Sequence, residues 1–392
     1  MDDWSNCTLG DVLELKRGYD LPHRDRREGQ YPIVSSSGVS GTHKAFKADA
    51  PGVVTGRYGT IGEVYFIEKP FWPLNTSLYV RDFKGNDPRF ISYFLRTIDY
   101  YAYSDKAAVP GVNRNHLHLA SVVVPPIEEQ RAIASVLGSL DDKIELNRRM
   151  NRTLEQMAAA IFKAWFVDFE PVRAKASGAA SFPGMPQPVF DALPATFADS
   201  ELGPIPEGWE ASRLGNAIEI HDSKRIPLSR KQREERQGTF PYYGATGIFD
   251  YVDDYLFDGK FVLIGEDGSV IQEDGTPFSQ YIWGKIWVNN HAHVLTGKEH
   301  WTTELIYLLL RDLYIAPFVT GAVQAKLNQG NMKAIPVVLP SGDALEACQE
   351  QIGPLFDLIR STTDEIQTLA ETRDALLPKL LSGTVRLREQ EK

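Results

Sequence analysis

The sequence repeats itself once, and this limits its architecture more than any other feature. Tyr31-Pro32-Ile33-Val34-Ser35-Ser36-Ser37-Gly38 returns as Phe240-Pro241-Tyr242-Tyr243-Gly244-Ala245-Thr246-Gly247. Val54-Thr55-Gly56-Arg57-Tyr58-Gly59 returns as Leu263-Ile264-Gly265-Glu266-Asp267-Gly268. Trp72 and Asn75 return as Trp287 and Asn290, Asn113 as Asn328, and Val122-Val123-Val124-Pro125 as Val337-Val338-Leu339-Pro340. The offset is 209 residues at Pro32 and Pro241, then 215 at Trp72 and Trp287 and again at Pro125 and Pro340. Matches in one order at a near-constant offset imply two copies of one module, with a period far too long for a solenoid. A chain of 392 residues has room for them at roughly 150 residues per domain.

Each copy has two parts. The first holds short apolar runs, such as Val64-Tyr65-Phe66-Ile67 and Lys260-Phe261-Val262-Leu263-Ile264, punctuated by Gly, Pro, Ser and Asn. Such runs read as strands joined by turns. A helix-like patch interrupts each, at Arg89–Arg96 and Glu304–Arg311. The expectation is a mixed α/β globule at 1–125 and another at 209–340.

The second part is a long helix, at 126–170 and again at 341–392. Ile133, Leu140, Asn147, Leu154 and Ile161 sit seven apart, with Leu137, Ile144 and Asn151 in a second seven-spaced row. In the second copy Ile352, Ile359 and Ile366 keep the spacing, with Leu380 in their row and Phe356 and Leu377 beside them. Seven-residue apolar rows form the seam of a coiled coil. Pro378 suggests a kink or an end in the last turns. Asn147 and Asn151 in a seam either fix register or mark an exposed stretch. Between the copies, 171–208 is rich in Pro, Ala, Ser and Gly and reads as a tether with an ordered lead-in.

Basic clusters stand at matching places: Lys16, Arg17, Arg24, Arg26 and Arg27 in the first copy, Lys224, Arg225, Arg230, Lys231, Arg233 and Arg236 in the second. Positive loops attract phosphates, or are merely solvated. The net charge of −10 stands against a nucleic-acid binder, yet local charge decides contact. Arg57, Asn113 and Arg114, with Lys326 and Asn328 in the second copy, are residue types that read base edges. The alternative for each Asn is turn stabilisation.

Other chemistries fit poorly. Gly56-Arg57-Tyr58-Gly59-Thr60-Ile61-Gly62 lacks the Gly-Lys-Ser/Thr ending of a phosphate loop. His116-Leu117-His118 and His291-Ala292-His293 fall at different places in the repeat, and no metal site is expected. Asp3 with Glu14-Leu15-Lys16 is a formal magnesium-nuclease match of a kind common by chance. Cys7 and Cys348 fit a reducing compartment. No apolar leader or run of ~18 apolar residues stands out, so the expectation is a soluble, cytoplasmic protein without a membrane anchor.

Leu9-Gly10-Asp11, Pro125-Pro126-Ile127-Glu128-Glu129-Gln130-Arg131-Ala132-Ile133-Ala134 and Leu140-Asp141-Asp142-Lys143-Ile144 carry a family resemblance. So do Ile161-Phe162-Lys163-Ala164-Trp165-Phe166-Val167-Asp168-Phe169, Leu202-Gly203-Pro204-Ile205-Pro206-Glu207-Gly208-Trp209 and Lys379-Leu380-Leu381-Ser382-Gly383. Over nearly its whole length the chain resembles the specificity subunit of a type I restriction-modification system. The resemblance implies two target-recognition domains on double-stranded DNA, each reading one half of a bipartite site. It implies long helices paired antiparallel as a spacer, two modification subunits docked on them, and restriction subunits joining these. Adenine methylation and cleavage, with S-adenosylmethionine, ATP and magnesium, would then belong to the partners. This chain would hold no cofactor and be non-catalytic.

Overall fold

The structure, a computed structural model, describes residues 3–105, 111–321 and 323–387. The remaining residues of the expected first globule, second globule and second helical span lie outside the described residues. The chain forms two units, residues 1–147 with 365–392, and residues 148–364.

Both units are built on one strand plan. In the first, an antiparallel sheet runs in the order Glu14–Arg17, Ser77–Asp82, Gly52–Gly56, Val64–Ile67. Side chains alternate between its faces, as the period of two requires. Leu15, Val53, Leu78 and Val80 join Phe90 and Ile91 of helix Pro88–Phe94 in one core. Val54, Ile67 and Tyr79 pack on Val34 and Phe71 in another. Each of these fully buried side chains contributes about 1.5–3 kcal/mol. Asp87 caps the helix by accepting from the Phe90 N–H, and Pro88 takes the first turn, where its missing N–H costs nothing.

The second unit repeats the plan as Ile218–Ile220, Ala292–Gly297, Phe257–Gly265, Ser279–Val288, and adds Gln237–Tyr243 and Ile248–Val252 to the same sheet. The long strand Ser279–Val288 does the work of both Val64–Ile67 and Trp72–Pro73 in the first unit, where the corresponding hairpin stands in a separate sheet. The register is kept. Ile33 pairs in parallel with Trp72, as Tyr242 does with Trp287. Tyr58 bridges Gly111, as Asp267 bridges Lys326. Gly56 and Gly265 recur because their loops fold back on them: a Cβ would lie 1.7 Å from the Thr60 carbonyl oxygen or 2.3 Å from that of Ser269. The Gly-rich turn is thus the end of a hairpin, which no phosphate loop resembles.

Helices Ile127–Phe166 and Gly342–Leu381 each run 40 residues. Pro378 lies inside the second, whose last turn ends three residues later. In the first unit Arg373 pairs with Asp141 at 2.7 Å and Glu365 with Asn147 at 2.8 Å. Partner numbers fall as helix numbers rise, so the helices are antiparallel. Ile133, Leu137, Ile144 and Leu380 are buried there, Leu140, Ile366 and Leu377 half-buried. In the second unit Leu154, Ile352 and Phe356 are buried, Ile161 and Ile359 half-buried.

The two seam asparagines differ. Asn147 is fully buried; its amide donates to Glu365, while its Oδ1 has no partner among the described residues. Asn151 is satisfied on both sides, donating to Thr363 Oγ1 at 2.9 Å and accepting from Thr362.

The short helices dock on the long ones through ion pairs of opposite polarity. Arg89, on Pro88–Phe94, holds Asp142 at 3.0 Å and donates to the Gly138 carbonyl. A Cβ on Gly138 would lie 2.6 Å from that guanidinium, which explains the lone glycine in the helix. Glu304, on Thr303–Arg311, accepts from Arg360 at 3.2 Å and from Lys260 at 2.7 Å. Burial pushes the Glu304 carboxyl up, but the donors Lys260 and Tyr281 outweigh it and hold the carboxyl below its ordinary range.

The segment expected as a tether is packed. Val172, Met185, Phe190 and Leu193 are buried in the second unit's core, and Lys175 donates to the Phe190, Asp191 and Leu193 carbonyls. Phe169, at φ 55, turns the chain into this segment, and Phe166 and Phe169 meet Trp209 of the lead-in. Isolated apolar residues among Pro and Ala give no period, so their burial could not be read from spacing.

Candidate nucleic-acid interface

In the first unit, strand Glu14–Arg17, the turn after Gly52–Gly56 and the start of the short helix Arg114–Leu117 converge. Lys16, Arg17, Arg57, Tyr58, Leu78, Asn113 and Arg114 line a concavity of about 330 Å3. It holds four cations and no carboxylate. Lys16 donates to the Tyr19 hydroxyl at 3.1 Å and lies over its ring. Arg57 stacks on Tyr58 at 4.4 Å from the centroid. Lys16, Arg57 and Arg114 form no ion pair among the described residues, and Arg17 approaches Asp20 only at 4.0 Å. The aromatic supports Tyr19 and Tyr58 were missed from sequence; each stands next to or near a cation in the chain, which was the available signal.

Asn113 is exposed and caps its helix by accepting from the Asn115 N–H; Asn328 does the same for the Asn331 N–H. Their conformational role is therefore the turn stabilisation left open above. Arg24 is exposed, whereas Arg26 donates to the Leu21 carbonyl and Arg27 to the Arg24 and Arg26 carbonyls, which orders their loop.

The equivalent place in the second unit is closed. Glu266 stands where Arg57 stands, and His293 where Leu78 stands in the strand register. Arg225 turns inward, 2.8 Å from Glu266 and 3.4 Å from Asp222, with its side chain 11% exposed. Gln329, matching Arg114, donates to Asp222 at 2.6 Å. Asp222 is lowered despite the opposing pull of burial, because His293, the Val294 N–H and Arg225 surround it. The expectation of a DNA-facing Arg225 is thus corrected: Asp222, three residues before it, and Glu266 neutralise its charge inside the fold. Arg233 and Arg236 are likewise held by Asp250 and Asp253, at 2.6 and 2.8 Å. Arg230 and Lys231 are exposed and pair along their own helix with Glu234 and Glu235. Lys224 and Lys326 are exposed.

A metal does not suit this network. Asp222, Glu266 and His293 could offer ligand atoms within 4.8 Å of one another. The Arg225 guanidinium already serves both carboxylates, and both His293 ring nitrogens face protein oxygens, of Asp222 and Leu327. Of the residues in the nuclease match, Glu14 accepts from Arg81 at 3.0 Å and Lys16 donates to the Tyr19 hydroxyl.

The same turn of the second unit lines a different, open concavity. Gly244–Phe249, Asp267, Gly268, Ser269, Asn289, His291 and Gln324 line a concavity of about 530 Å3. His291 Nδ1 meets Asp267 there, and Asn289 accepts from the His291 N–H.

Each unit also carries an apolar groove away from these turns. In the first unit it lies among Phe94, Ile98, Val122 and Leu381; in the second, among Leu309, Leu313, Val337 and Phe166. Phe94 and Leu309, Ile98 and Leu313, and Val122 and Val337 are each 215 residues apart, as are Phe166 and Leu381. Among the described residues no helix is long and apolar enough to cross a membrane.

The type I restriction modification DNA specificity domain matches residues 1–156 and 206–372. The type I restriction enzyme MjaIX specificity subunit of Methanocaldococcus jannaschii is 27% identical, over 81% of this chain and 74% of its own. The type I restriction enzyme HindI specificity subunit of Haemophilus influenzae is 27% identical, over 76% of this chain and 77% of its own. The crystal structure of a type I restriction-modification system S subunit from M. genitalium shares the fold with a TM-score of 0.61, at 18% identity and 96% coverage of both chains.

Proposed function

We propose that this chain, which belongs to the type I restriction-modification DNA specificity family, reads a bipartite duplex target, one half with each unit. Residues 1–125 and 209–340 would be the reading heads. The helices within 126–170 and 341–392 would be the spacer that sets the gap between half-sites, as dimer geometry does for other readers. Catalysis would lie elsewhere: modification subunits would methylate adenine with S-adenosylmethionine, and restriction subunits would cleave with ATP and magnesium.

The observation that carries this reading is the concavity of Lys16, Arg17, Arg57 and Arg114, free of carboxylates, in an otherwise acidic chain. Cations without internal partners keep their charge for phosphates. The paired apolar grooves support two copies of one partner, since the same surface is presented once per unit. That stoichiometry fits two modification subunits.

The test is a single-molecule map of methylated adenine in host DNA with and without the gene. A split motif whose methylation disappears on deletion is the expected result. An unchanged map in a host with active modification subunits would refute the reading.

A further inference from the structure

The two copies share a turn yet line chemically different concavities with it, and this bears on which bases each half prefers. In the first unit Arg57 keeps the cationic side open. In the second, Glu266 draws Arg225 inward and closes that side. What remains open is the concavity beyond Asp267, floored by Asn289 and His291 and flanked by Gln324. It presents a carboxylate at the repeat position where the first unit has Tyr58.

A carboxylate cannot position a phosphate, because like charges repel. It can only accept, and in the major groove the donors of a base pair are the exocyclic amines of cytosine N4 and adenine N6. His291 binds one side of the Asp267 carboxylate, and the Asp267 side chain remains 21% exposed. An acid hydrogen-bonded at a pocket wall by histidine is oriented without being sealed off. Asn289 orders the loop by accepting from the His291 N–H at 2.8 Å.

We infer that the second unit reads its half-site through the Asp267–His291 pocket, with Asp267 accepting a hydrogen bond from an exocyclic base amine. The inference rests on the DNA-reading function proposed above. It makes the two half-sites chemically unlike: the first is read by donors, suited to guanine O6 and N7, the second by an acceptor.

The experiment uses the chain assembled with its modification subunits and duplexes carrying the motif from the methylation map. Single amines in the second half-site are deleted by replacing cytosine with 2-pyrimidinone or adenine with purine. One such deletion is expected to weaken binding about tenfold or more. Asp267→Ala should bind the intact duplex less well and lose sensitivity to that deletion, while first-half discrimination stays as in wild type. If no amine deletion weakens wild-type binding, the inference is wrong, whether or not Asp267→Ala folds. Equal sensitivity in wild type and a folded Asp267→Ala, judged by its melting temperature, would also overturn it. Absence of any split motif would instead remove the underlying function, so the two failures are distinguishable.

Discussion

The first unit's turn and its counterpart in the second begin with the same glycine and the same strand register, yet one exposes charge and the other consumes it. Around Arg57 the cations face outward with no acid among the lining residues. Around Glu266 a cation, two acids, a histidine and Gln329 close on themselves. Exchanges at three repeat positions, Arg57 to Glu266, Leu78 to His293 and Arg114 to Gln329, separate an open binding surface from a buried ionic network. Duplicated modules can therefore diverge in chemistry while the backbone that positions the chemistry is kept.

The largest effect should come from breaking the closed network. Arg225→Ala takes the cation from Glu266 and leaves Asp222 only His293, the Val294 N–H and Gln329, and breaking a buried ionic pair costs about 3–5 kcal/mol. Denaturant unfolding should show that loss, whereas Lys16→Ala, at the matching basic cluster, should leave stability nearly unchanged. Comparable losses in both would erase the contrast.

Next in size is the salt response of DNA binding. Removing Arg57 and Arg114 together should reduce the slope of log affinity against log salt by about two, roughly one per phosphate contact. Arg230→Ala with Lys231→Ala should change it less, since Glu234 and Glu235 already offset those charges along the helix. Equal slopes for both double variants would show that exposure, not pairing, governs contact.

The seam asparagines sharpen the comparison at about 1 kcal/mol. Asn147→Leu removes a buried, unpartnered oxygen and should stabilise the protein. Asn151→Leu removes the hydrogen bonds to Thr362 and Thr363, whose hydroxyls keep only carbonyls of their own helix, and should destabilise it by a similar amount. Thermal melts of the two single variants decide this, and shifts of the same sign would contradict the difference in satisfaction.

The smallest effect is a pH response of the first unit. His118 accepts from the Leu15 N–H at 2.9 Å, and burial, then the Arg114 charge, lowers its pKa. An imidazole lowered on folding takes up its proton more readily when unfolded. Its contribution is complete above the unfolded value of about 6.5 and falls away as pH drops below it. His118→Gln should flatten the stability profile on that acid side, measured by melting temperature against pH.

Much of this molecule is written locally. The repeat, the seven-spaced rows and Gly56 with Gly265 show where the strands, turns and long helices lie, because each follows from nearest neighbours along the chain. The sheet-mate pairs Trp72 and Trp287 are visible for the same reason. Which cations remain open is not local: Arg233 looks as basic as Arg57, but Asp250 reaches it only once Ile248–Val252 has folded beside Gln237–Tyr243. Lys16 and Arg57 stay open because no acid lines their concavity, a fact about the assembled surface. The Asp267–His291 pair was hidden for a similar reason, as its members stand 24 positions apart, with a loop and strand Ser279–Val288 between them. The packed course of 171–208 escaped because Phe190 and Leu193 are anchors without a period.

The reversed ion pairs under the short helices bear on how a duplicated chain avoids mistaking one half for the other. Tandem copies are prone to intramolecular mispairing during folding, since each globule could settle on the wrong long helix. Arg89 and Glu304 occupy the same repeat position, 215 residues apart. Exchanged, Glu304 would face Asp142, a like charge, with Lys260 of its own globule still beside it but without Arg360. Arg89 would arrive at a turn already carrying Arg360, which is bound to Asp357. The wrong assembly is thus penalised at the first contact each globule makes with its helix, and the duplication carries its own means of telling left from right.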